Sequence, residues 1–466
     1  MDVSLDQAET LVAACRGVVA AATRRLAADS AREGRVDLGL LDREQVLAYD
    51  LSTVASKVAA AEEMVVYGRA GDFERLLAVT FAGEVAADLA GRVQGREQAW
   101  GADGWQTAQV RAALQAARST ALAEEVGRRL LEGADPPRHL SEELEMVRQT
   151  FRDYAEAKVA PVAEHVHRND ADIPEEIIAD LAGMGCFGLS IPEEYGGFAQ
   201  GSSGDVQSMV VVTEELSRGS LGVAGSLITR PEILSKALLK GGTAEQRRRW
   251  LPAIASGEAM CAVAVTEPDH GSDVANLKTS ATRQGDVYVV NGTKTWCTFA
   301  GRADLLMLLA RTDPDPTRRH RGLSLFVVEK PPCPGHEFTH SGQLGGKLVA
   351  RAIGTIGYRG MHSFELSFED YAVPATNLVG GDDGLGRGFY LQMDAFANGR
   401  LQTAARALGV MQAACDAAVA YANDRQVFGR PLGAYQLTRG KLARMAWLIA
   451  ACRRFSFRTA ELLGEG

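Results

Sequence analysis

The most informative segment of this chain is Val265-Thr266-Glu267-Pro268-Asp269-His270-Gly271-Ser272-Asp273. It continues a short apolar run, Met260 to Val265, that predicts a β-strand, and it ends in a turn that contains Gly-Ser-Asp. Such a loop offers a hydroxyl, free backbone N–H groups and a small residue where a ligand can approach, so it suits a phosphate or the polar edge of a ring. Taken alone, the nonamer also fits an ordinary connection between a strand and a loop.

A second segment, Thr295-Trp296-Cys297-Thr298, follows further along the chain, just after Asn291-Gly292. Asn-Gly is the strongest two-residue signal for a β-hairpin, and the apolar run Val287 to Val290 before it predicts a strand. An indole ring with a hydroxyl beside it suits packing against a flat cofactor. The alternative is that Trp296 packs in the core of a small β domain.

The spacing of apolar residues predicts helices, then strands, then helices, so the expected fold class is α+β. Residues 1–133 are rich in Ala, Leu, Glu and Arg at helical spacing and predict a helical extension, which ends at a Gly- and Pro-rich break. The domains expected after it are a helical domain at 140–258, a small β domain at 259–376 and a helical domain at 383–466.

Composition limits the classes of function. The 466 residues include 50 Lys and Arg against 59 Asp and Glu, a net charge of −9 that argues against a general nucleic-acid-binding protein. No apolar run reaches the roughly 18–20 residues of a membrane span, and Met1 to Leu11 lacks the basic start of a signal or transit peptide. The seven cysteines form no Cys-x-x-Cys pair, so we expect free thiols and a cytoplasmic protein.

Together these segments resemble the acyl-CoA dehydrogenase family, whose middle domain carries T-E-P-x-x-G-S-D and then G-D-x-Y-x-x-N-G-x-K-x-W-x-T. The resemblance extends over residues 140–466, roughly two-thirds of the chain. It implies a helical domain, a small β domain and a C-terminal helical bundle that is incomplete here, all preceded by the helical extension. The matching residues are Thr266-Glu267-Pro268, Gly271-Ser272-Asp273, Gly285-Asp286, Tyr288, Asn291-Gly292, Lys294, Trp296, Thr298, Pro192 to Gly197, Gln246 to Glu258, and Asp424 to Pro431 with Gln436.

The resemblance implies FAD as the cofactor and an acyl-CoA thioester as the substrate, which is desaturated between its α and β carbons. The hydride from the β carbon would pass to the flavin, which carries the redox chemistry. By the same resemblance, the Thr266 hydroxyl would lie near the hydride-accepting nitrogen, and Ser272 near both the flavin pyrophosphate and the acyl-CoA. The residues implied to contact the FAD within one subunit are Val265, Thr266, Gly271, Ser272, Trp296 and Thr298.

The C-terminal motif implies contacts between subunits. Arg425, Phe428 and Gln436 match residues that reach the FAD of a neighbouring subunit, so the resemblance implies a homodimer or a homotetramer. Arg400 matches the Arg that opens the long C-terminal helix near the substrate, although a surface ion pair is the alternative for this residue. Electrons would leave through an electron-transferring flavoprotein, as in the family.

The catalytic base implied by the resemblance is a Glu that removes the α-proton in a dry site, where burial raises the pKa of a carboxyl. One subtype of the family places this Glu immediately before the Arg of the C-terminal helix, where this chain has Gly399. The other subtype places it in a late Gly-rich loop, and we expect that Glu beyond Gly466. No residue of the sequence is therefore assigned as the catalytic base.

One departure from the family concerns the substrate. Between Gly342 and Ser363 the chain carries a longer Gly-rich stretch than usual, which includes Arg351 and Arg359. Either this stretch is a solvated loop, or one of the cations recognises a second carboxylate on the acyl chain, because Arg suits bidentate carboxylate binding. Combined with the helical extension, it resembles family members that oxidise a branched dicarboxylic acyl-CoA such as methylsuccinyl-CoA.

Two other functions share parts of this pattern. One is a flavin monooxygenase of the same fold, which also lacks the Glu base. The other is a non-catalytic flavin- or CoA-binding scaffold, which needs no catalytic base. A further motif, His336-Glu337-Phe338-Thr339-His340, matches the zinc-protease pattern, which requires a helix, yet it lies in a strand-rich region. Side chains four apart in a strand lie ~13 Å from each other, so we expect no metal site from this motif.

Overall fold

The computed structural model describes residues 4–464, which form two compact units. The first unit contains the described residues up to Leu140 together with Met411–Thr459. The second contains Ser141–Val410 together with the described residues from Ala460 onward. The second unit therefore carries both segments that the sequence singles out.

The N-terminal part of the first unit is helical, as the sequence predicts. Leu47, Leu51, Val54 and Val58 recur at helical spacing and are all buried, so one face of their helix enters the core. The elements are α1 (Asp6–Asp29), β1 (Ala31–Arg32), β2 (Arg35–Val36), α2 (Leu38–Leu41), α3 (Gln45–Tyr67), α4 (Asp72–Val93), α5 (Glu97–Trp100), α6 (Ala108–Ala117) and α7 (Thr120–Leu131).

The second unit opens with helices whose starts follow capping rules. Thr243 and Gln246 form a capping box, in which each side chain accepts a hydrogen bond from the other residue's backbone N–H. A π-helical turn, Leu221–Gly225, lies just before Ser226. The helices are α8 (Glu142–Tyr154), α9 (Ala160–Asn169), α10 (Glu175–Gly183), α11 (Ser203–Ser220), α12 (Thr229–Gly241) and α13 (Ala244–Ala255).

An eight-stranded sheet follows, which confirms the predicted β region. Its strands are β3 (Cys261–Ala264), β4 (Ser280–Gln284), β5 (Val287–Thr298), β6 (Leu305–Arg311), β7 (Leu323–Glu329), β8 (Glu337–Ser341), β9 (Lys347–Ile353) and β10 (Ser363–Pro374). The strand order is β3-β6-β4-β5-β10-β9-β8, with β7 paired to β6. The zinc-protease motif lies in and just before β8, in the extended conformation that the sequence predicts.

The predicted hairpin turn at Asn291-Gly292 is wrong, because both residues lie inside β5. The chain turns earlier, at Gly285-Asp286 between β4 and β5. Asn291 instead bridges to β10: its Oδ1 accepts a hydrogen bond from the Asp370 N–H at 2.9 Å, and its Nδ2 donates to Asp370 Oδ1 at 3.0 Å. Asn side chains bind nearby backbone groups in turns, and here Asn291 does the same at an irregular point between two strands.

The irregularity is a β-bulge. The pairing of β10 with β5 shifts between Phe368 and Tyr371, so two residues of β10 lie opposite one of β5. Gly292 has φ 142°, and a Cβ at this position would lie 2.7 Å from the Cα of Thr279. Glycine is thus required by a close backbone approach within the sheet.

Two long helices complete the chain, as the predicted order of helices, strands and helices implies. They are α14 (Gly388–Asp424) and, after the short strands β11 (Gln426–Val427) and β12 (Arg430–Pro431), α15 (Gln436–Gly464). Residues of α14 up to Val410 belong to the second unit, and those from Met411 onward belong to the first. In the described part of the chain, no helix is both long and apolar enough to cross a membrane.

Within the first unit, α15 packs against the N-terminal helices. Leu442, Ala446 and Trp447 are buried in the same core as the helices of the extension. Trp447 Nε1 donates to Glu84 Oε2 at 2.6 Å, and Arg444 Nε donates to Glu84 Oε1 at 3.0 Å. The extension and the C-terminal helix therefore form one structural unit, which the order of residues in the chain does not indicate.

Candidate functional site

The loop after β3 and the middle of β5 meet through the backbone. The Thr295 N–H donates to the Thr266 carbonyl oxygen at 2.8 Å. The two segments that the sequence singles out are therefore neighbours in the second unit.

A buried ion pair secures this contact. Lys294 is 0% exposed, and its Nζ donates to the Val265 carbonyl and to Glu267 Oε1, both at 2.9 Å. The backbone N–H groups of Lys278 and Thr279 also donate to the Glu267 carboxylate, each at 2.8 Å. Burial by itself would raise the pKa of Glu267, but Lys294 and these donors lower it below its ordinary value. Glu267 is therefore a positioning residue that holds the loop against β5.

A cavity of about 350 Å³ opens beside these segments in the second unit. Half of the residues predicted to contact the flavin or the substrate border it, and they come from the loop after β3, from β5 and from α14. These are Val265, Thr266, Gly271, Trp296, Thr298 and Arg400.

Trp296 is displayed at the wall of this cavity rather than packed in the core. Its side chain is 56% exposed and its φ is 58°, a left-handed conformation that is unusual for a bulky residue. Thr298 is buried nearby, and its Oγ1 lies 2.9 Å from Ser363 Oγ. Backbone strain of this kind concentrates at binding sites, and the exposed indole offers a plane for a flat ring.

Three of the predicted site residues in the second unit do not border the cavity. Ser272 is exposed on the loop after β3. Arg351 lies on β9 with its side chain 80% exposed, and its Nε is 3.1 Å from Glu337 Oε1. Arg359 donates from Nη1 to the His167 carbonyl oxygen at 2.7 Å. The stretch from Gly342 to Ser363, for which the sequence leaves a solvated loop and a carboxylate-binding role open, contains strand β9, which carries Arg351, whereas Arg359 follows this strand.

Several buried polar atoms at the cavity have no hydrogen-bond partner among residues 4–464. They are Nε2 and Oε1 of Gln392, which is 0% exposed, Oγ1 of Thr229 and Nε of Arg406. Each such group left unpaired costs about 1–3 kcal/mol, so the cavity suits a polar ligand. A ligand that offers both donors and acceptors at its edge, as a flavin ring does, fits this set.

A second group of polar residues at the cavity was not predicted from the sequence. We call it the arginine cluster, and it consists of Ser226, Arg230, Tyr358 and Arg406. Arg230 Nη1 donates to Tyr358 Oη at 3.0 Å, and Arg406 Nη1 donates to Tyr358 Oη at 3.2 Å and to Ser226 Oγ at 2.7 Å. Both arginines border the cavity.

The two charges of this cluster have no counter-ion among the residues that the structure describes. Within the described residues, neither Arg230 nor Arg406 has a carboxylate oxygen within 4.0 Å. Burial alone would raise the pKa of Tyr358, but the two guanidinium groups lower it below its ordinary value. Burial also lowers the pKa of Arg406. Two adjacent, partly buried cations favour an anionic ligand, because its charge would compensate theirs.

One signal in the sequence could have identified Arg406. Gln392, Phe396, Gly399, Thr403 and Arg406 recur every three or four residues, and all border the cavity from one face of α14. For Arg230 and Tyr358 no such signal exists. The π-helical turn before Ser226 and the irregular segment before β10 bring them together, and neither has a regular spacing.

The cavity wall carries no acidic side chain in the part of the chain that the structure describes. Gly399, at the position where one family subtype carries its base, borders the cavity. The described residues at the wall therefore offer no carboxylate to remove a proton. The Glu expected beyond Gly466 stays a prediction.

Arg425, Phe428 and Gln436 lie in the first unit, and all three are exposed. Phe428 and Gly429 are the central residues of the tight turn between β11 and β12, with φ of 49° and 76°. Positive φ at both central positions defines a type I′ turn, which Phe rarely enters. The turn therefore presents a strained aromatic side chain, 95% exposed, to a ligand or a second molecule.

Comparison with known proteins gives three matching family models. The acyl-CoA dehydrogenase N-terminal domain matches residues 141–258, the middle domain matches 262–371 and the C-terminal domain matches 386–466.

Individual relatives cover more of the chain. The (2S)-methylsuccinyl-CoA dehydrogenase of Cereibacter sphaeroides is 41% identical over 450 residues, which cover 92% of this chain and 79% of that protein. A solved glutaryl-coenzyme A dehydrogenase in complex with glutaryl-CoA has a TM-score of 0.64 at 30% identity, covering 70% of this chain and 78% of that one. A glutaryl-CoA dehydrogenase of Mycobacterium smegmatis in complex with FADH2 has a TM-score of 0.58 at 25% identity, covering 70% and 76%.

Proposed function

Because the chain belongs to the acyl-CoA dehydrogenase family, we propose that its substrate is a branched dicarboxylic acyl-CoA such as (2S)-methylsuccinyl-CoA. The chain is an FAD-dependent enzyme that dehydrogenates an acyl-CoA thioester. The proposal adds the chemical class of the acyl group. The evidence for this class is the arginine cluster.

The observation that carries the proposal is the pair of arginines at the cavity whose guanidinium groups have no carboxylate partner within the described part of the chain. Arg230 and Arg406 share two hydroxyl partners, Ser226 and Tyr358, and have no carboxylate beside them among the described residues. A dicarboxylic acyl chain would bring its own carboxylate to these donors. An acyl chain that ends in a methyl group would leave both cations unpaired, which is costly in a partly buried site.

The comparisons support the same class of substrate. The relative that is 41% identical is named for a dicarboxylic acyl-CoA, and the structural neighbour with a TM-score of 0.64 is a complex with glutaryl-CoA. Arg351 and Arg359, the cations that the sequence suggests for this role, are engaged with Glu337 and with the His167 carbonyl. We therefore assign the second carboxylate to Arg230 and Arg406.

The residues at the cavity fit the cofactor. When bound, FAD supplies the acceptor for the hydride that leaves the β carbon. We propose that Trp296 and Thr298 pack against its ring, that the Thr266 hydroxyl contacts its polar edge, and that Gln392 pairs with its donors and acceptors. The Glu267–Lys294 ion pair keeps Thr266 in place for this contact.

Other residues and another protein would complete the reaction. We propose that Arg425, Phe428 and Gln436 reach the FAD of a second copy in a homodimer or homotetramer, since all three are exposed. A Glu beyond Gly466 would remove the α-proton. An electron-transferring flavoprotein would take the electrons.

The experiment compares substrates and variants in steady state. We expect the protein to turn over (2S)-methylsuccinyl-CoA with a higher kcat/KM than butyryl-CoA or isobutyryl-CoA. Arg230→Met and Arg406→Met should each lower kcat/KM for methylsuccinyl-CoA by about 10²-fold, because each removes a charge-assisted hydrogen bond worth roughly 2–3 kcal/mol. Activity with butyryl-CoA should change little.

Arg351→Met is the matched control, because this arginine is exposed and lies away from the cavity. It should retain the kinetics of the unaltered protein with both substrates. A preference for butyryl-CoA, or a loss of methylsuccinyl-CoA turnover in the control alone, would rule out the assignment.

A further inference from the structure

Two histidines meet at one edge of the sheet, away from the flavin cavity. His336 comes just before β8 and His362 just before β10. Both strands pair antiparallel with β9, so they run in the same direction and begin at the same edge. His336 Nε2 and His362 Nε2 are 3.3 Å apart, and the ring centroids are 4.3 Å apart.

The loop after α9 brings two carboxylates to the same place. Asp172 Oδ1 lies 3.0 Å from His362 Nε2, and Asp170 Oδ1 lies 3.9 Å from His362 Nδ1. One ligand atom from each of Asp170, His336 and His362 lies within 4.8 Å of the other two. The helical part and the sheet of the second unit thus contribute different ligands to one cluster.

The distances suit a metal ion. Two imidazole nitrogens that bind one tetrahedral Zn²⁺ at about 2.0–2.1 Å are themselves about 3.3–3.4 Å apart, which is close to the separation of His336 and His362. A hydrogen bond between two neutral rings is the alternative, yet His362 Nε2 faces both His336 and Asp172, and it carries at most one proton. A dication bound by both Nε2 atoms would use the lone pair of each nitrogen, so neither ring would need to donate a proton to the other.

The conformation and charge of the cluster support the same assignment. His362 is buried and has φ 40°, so the surrounding structure holds it in a strained conformation. Among the described residues, Arg359 is the one cation beside the carboxylates of Asp170 and Asp172. Its Nε is 3.5 Å from Asp170 Oδ1. His362 and Asp172 also border a cavity of about 360 Å³, which gives an ion or a water molecule a route to the cluster.

We propose that Asp170, His336 and His362 bind a divalent transition-metal ion of the Zn²⁺ class, with Asp172 beside it. Two imidazoles and a carboxylate are a common ligand set for such ions and leave a position open to the cavity. The ion would join the loop after α9 to the start of β8 and β10 and so stabilise the second unit. None of the four residues borders the flavin cavity, so the site is separate from the one that binds substrate.

The test measures Zn²⁺ binding by isothermal titration calorimetry on purified protein that has been treated with a chelator. We expect one equivalent of Zn²⁺ per chain and a rise in Tm on addition of Zn²⁺. His336→Ala should weaken binding at least tenfold and abolish the rise in Tm. Because His336 is exposed, this variant keeps its fold, which circular dichroism would verify.

His340→Ala is the matched control, since His340 lies on β8, four residues after His336, and outside the cluster. It should bind Zn²⁺ as the unaltered protein does, whereas Asp170→Asn should bind more weakly. Equal affinity in the unaltered protein and in His336→Ala would overturn the proposal. So would an equal loss of affinity in His340→Ala.

Discussion

Single side chains decide whether the loop after β3 reaches the cavity in the right conformation. Lys294 donates to the Val265 carbonyl and to Glu267, while Thr295 binds the backbone of Thr266. These bonds hold Thr266 at the cavity, whereas Lys294 and Glu267 do not border it. The motif residues thus divide into those that border the cavity and those that position them.

Replacing Glu267 with Gln should lower the free energy of unfolding by about 3 kcal/mol or more, because the buried Lys294 ammonium would lose its counter-ion. Urea unfolding followed by circular dichroism measures this difference. Glu258→Gln is the control, since Glu258 is exposed, and it should stay within about 0.5 kcal/mol of the unaltered protein. Similar losses in both variants would show that the ion pair does not hold the loop.

The same pair predicts a dependence on pH. The folded-state pKa of Glu267 lies below its ordinary value of 4.5, so the ionised carboxylate contributes stability that is present above pH 4.5. That contribution is lost as the pH falls through the folded-state pKa. The difference in unfolding free energy between the unaltered protein and Glu267→Gln should therefore narrow on acidification, and a constant difference would contradict this account.

At the scale of elements, the turn between β11 and β12 is built to present Phe428. Its two central residues have positive φ, and the aromatic side chain is 95% exposed. Phe428→Ala should leave the stability of the first unit unchanged and reduce the FAD retained after gel filtration, because a contact to the cofactor of a second copy is lost. The ratio of flavin to protein absorbance measures this. Tyr49→Ala, which removes another exposed aromatic side chain, should retain FAD fully, and equal retention in both variants would argue against the assigned role.

Regular elements were predictable from the sequence, whereas irregular ones were not. The order of helices, strands and helices was predicted correctly, since the spacing of apolar residues indicates which face of each element is buried. Asn291-Gly292 matches a turn signal, and no local signal can reveal that Gly292 is required by the close approach of the Thr279 backbone, which lies just before β4. Tyr358 was not identified, because it joins Arg230 across 128 positions of sequence and lies in an irregular segment.

For the whole molecule, the feature that is hardest to predict from the sequence is which helix packs against the helical extension. The sequence indicates helices over residues 1–133, and the structure packs them with α15 in the core of the first unit. That packing depends on small residues at points of close approach. At Gly127 a Cβ would meet the backbone of Arg439, far away in sequence. The spacing of apolar residues shows that one face of a helix is buried but does not identify the helix that packs against that face.

Gly127→Ala should therefore lower the unfolding free energy by about 1–3 kcal/mol, because the added methyl group forces α7 away from the start of α15. Gly91→Ala is the matched helical control, since nothing lies within 4 Å of its added Cβ, and it should raise stability by about 0.4–1 kcal/mol. Chemical denaturation compares the two. A stabilising Gly127→Ala would contradict the packing of α7 on α15.

Our central claim is that Arg230 and Arg406 bind the second carboxylate of the substrate. The affinity of the protein for two matched thioesters at equilibrium tests it most directly. Succinyl-CoA and butyryl-CoA are thioesters of equal chain length that differ in a terminal carboxylate against a methyl group. We expect the FAD-loaded protein, titrated by calorimetry without an electron acceptor, to bind succinyl-CoA at least tenfold more tightly, and Arg230→Met to remove that preference. Equal affinity for the two esters, or tighter binding of butyryl-CoA, would contradict the account.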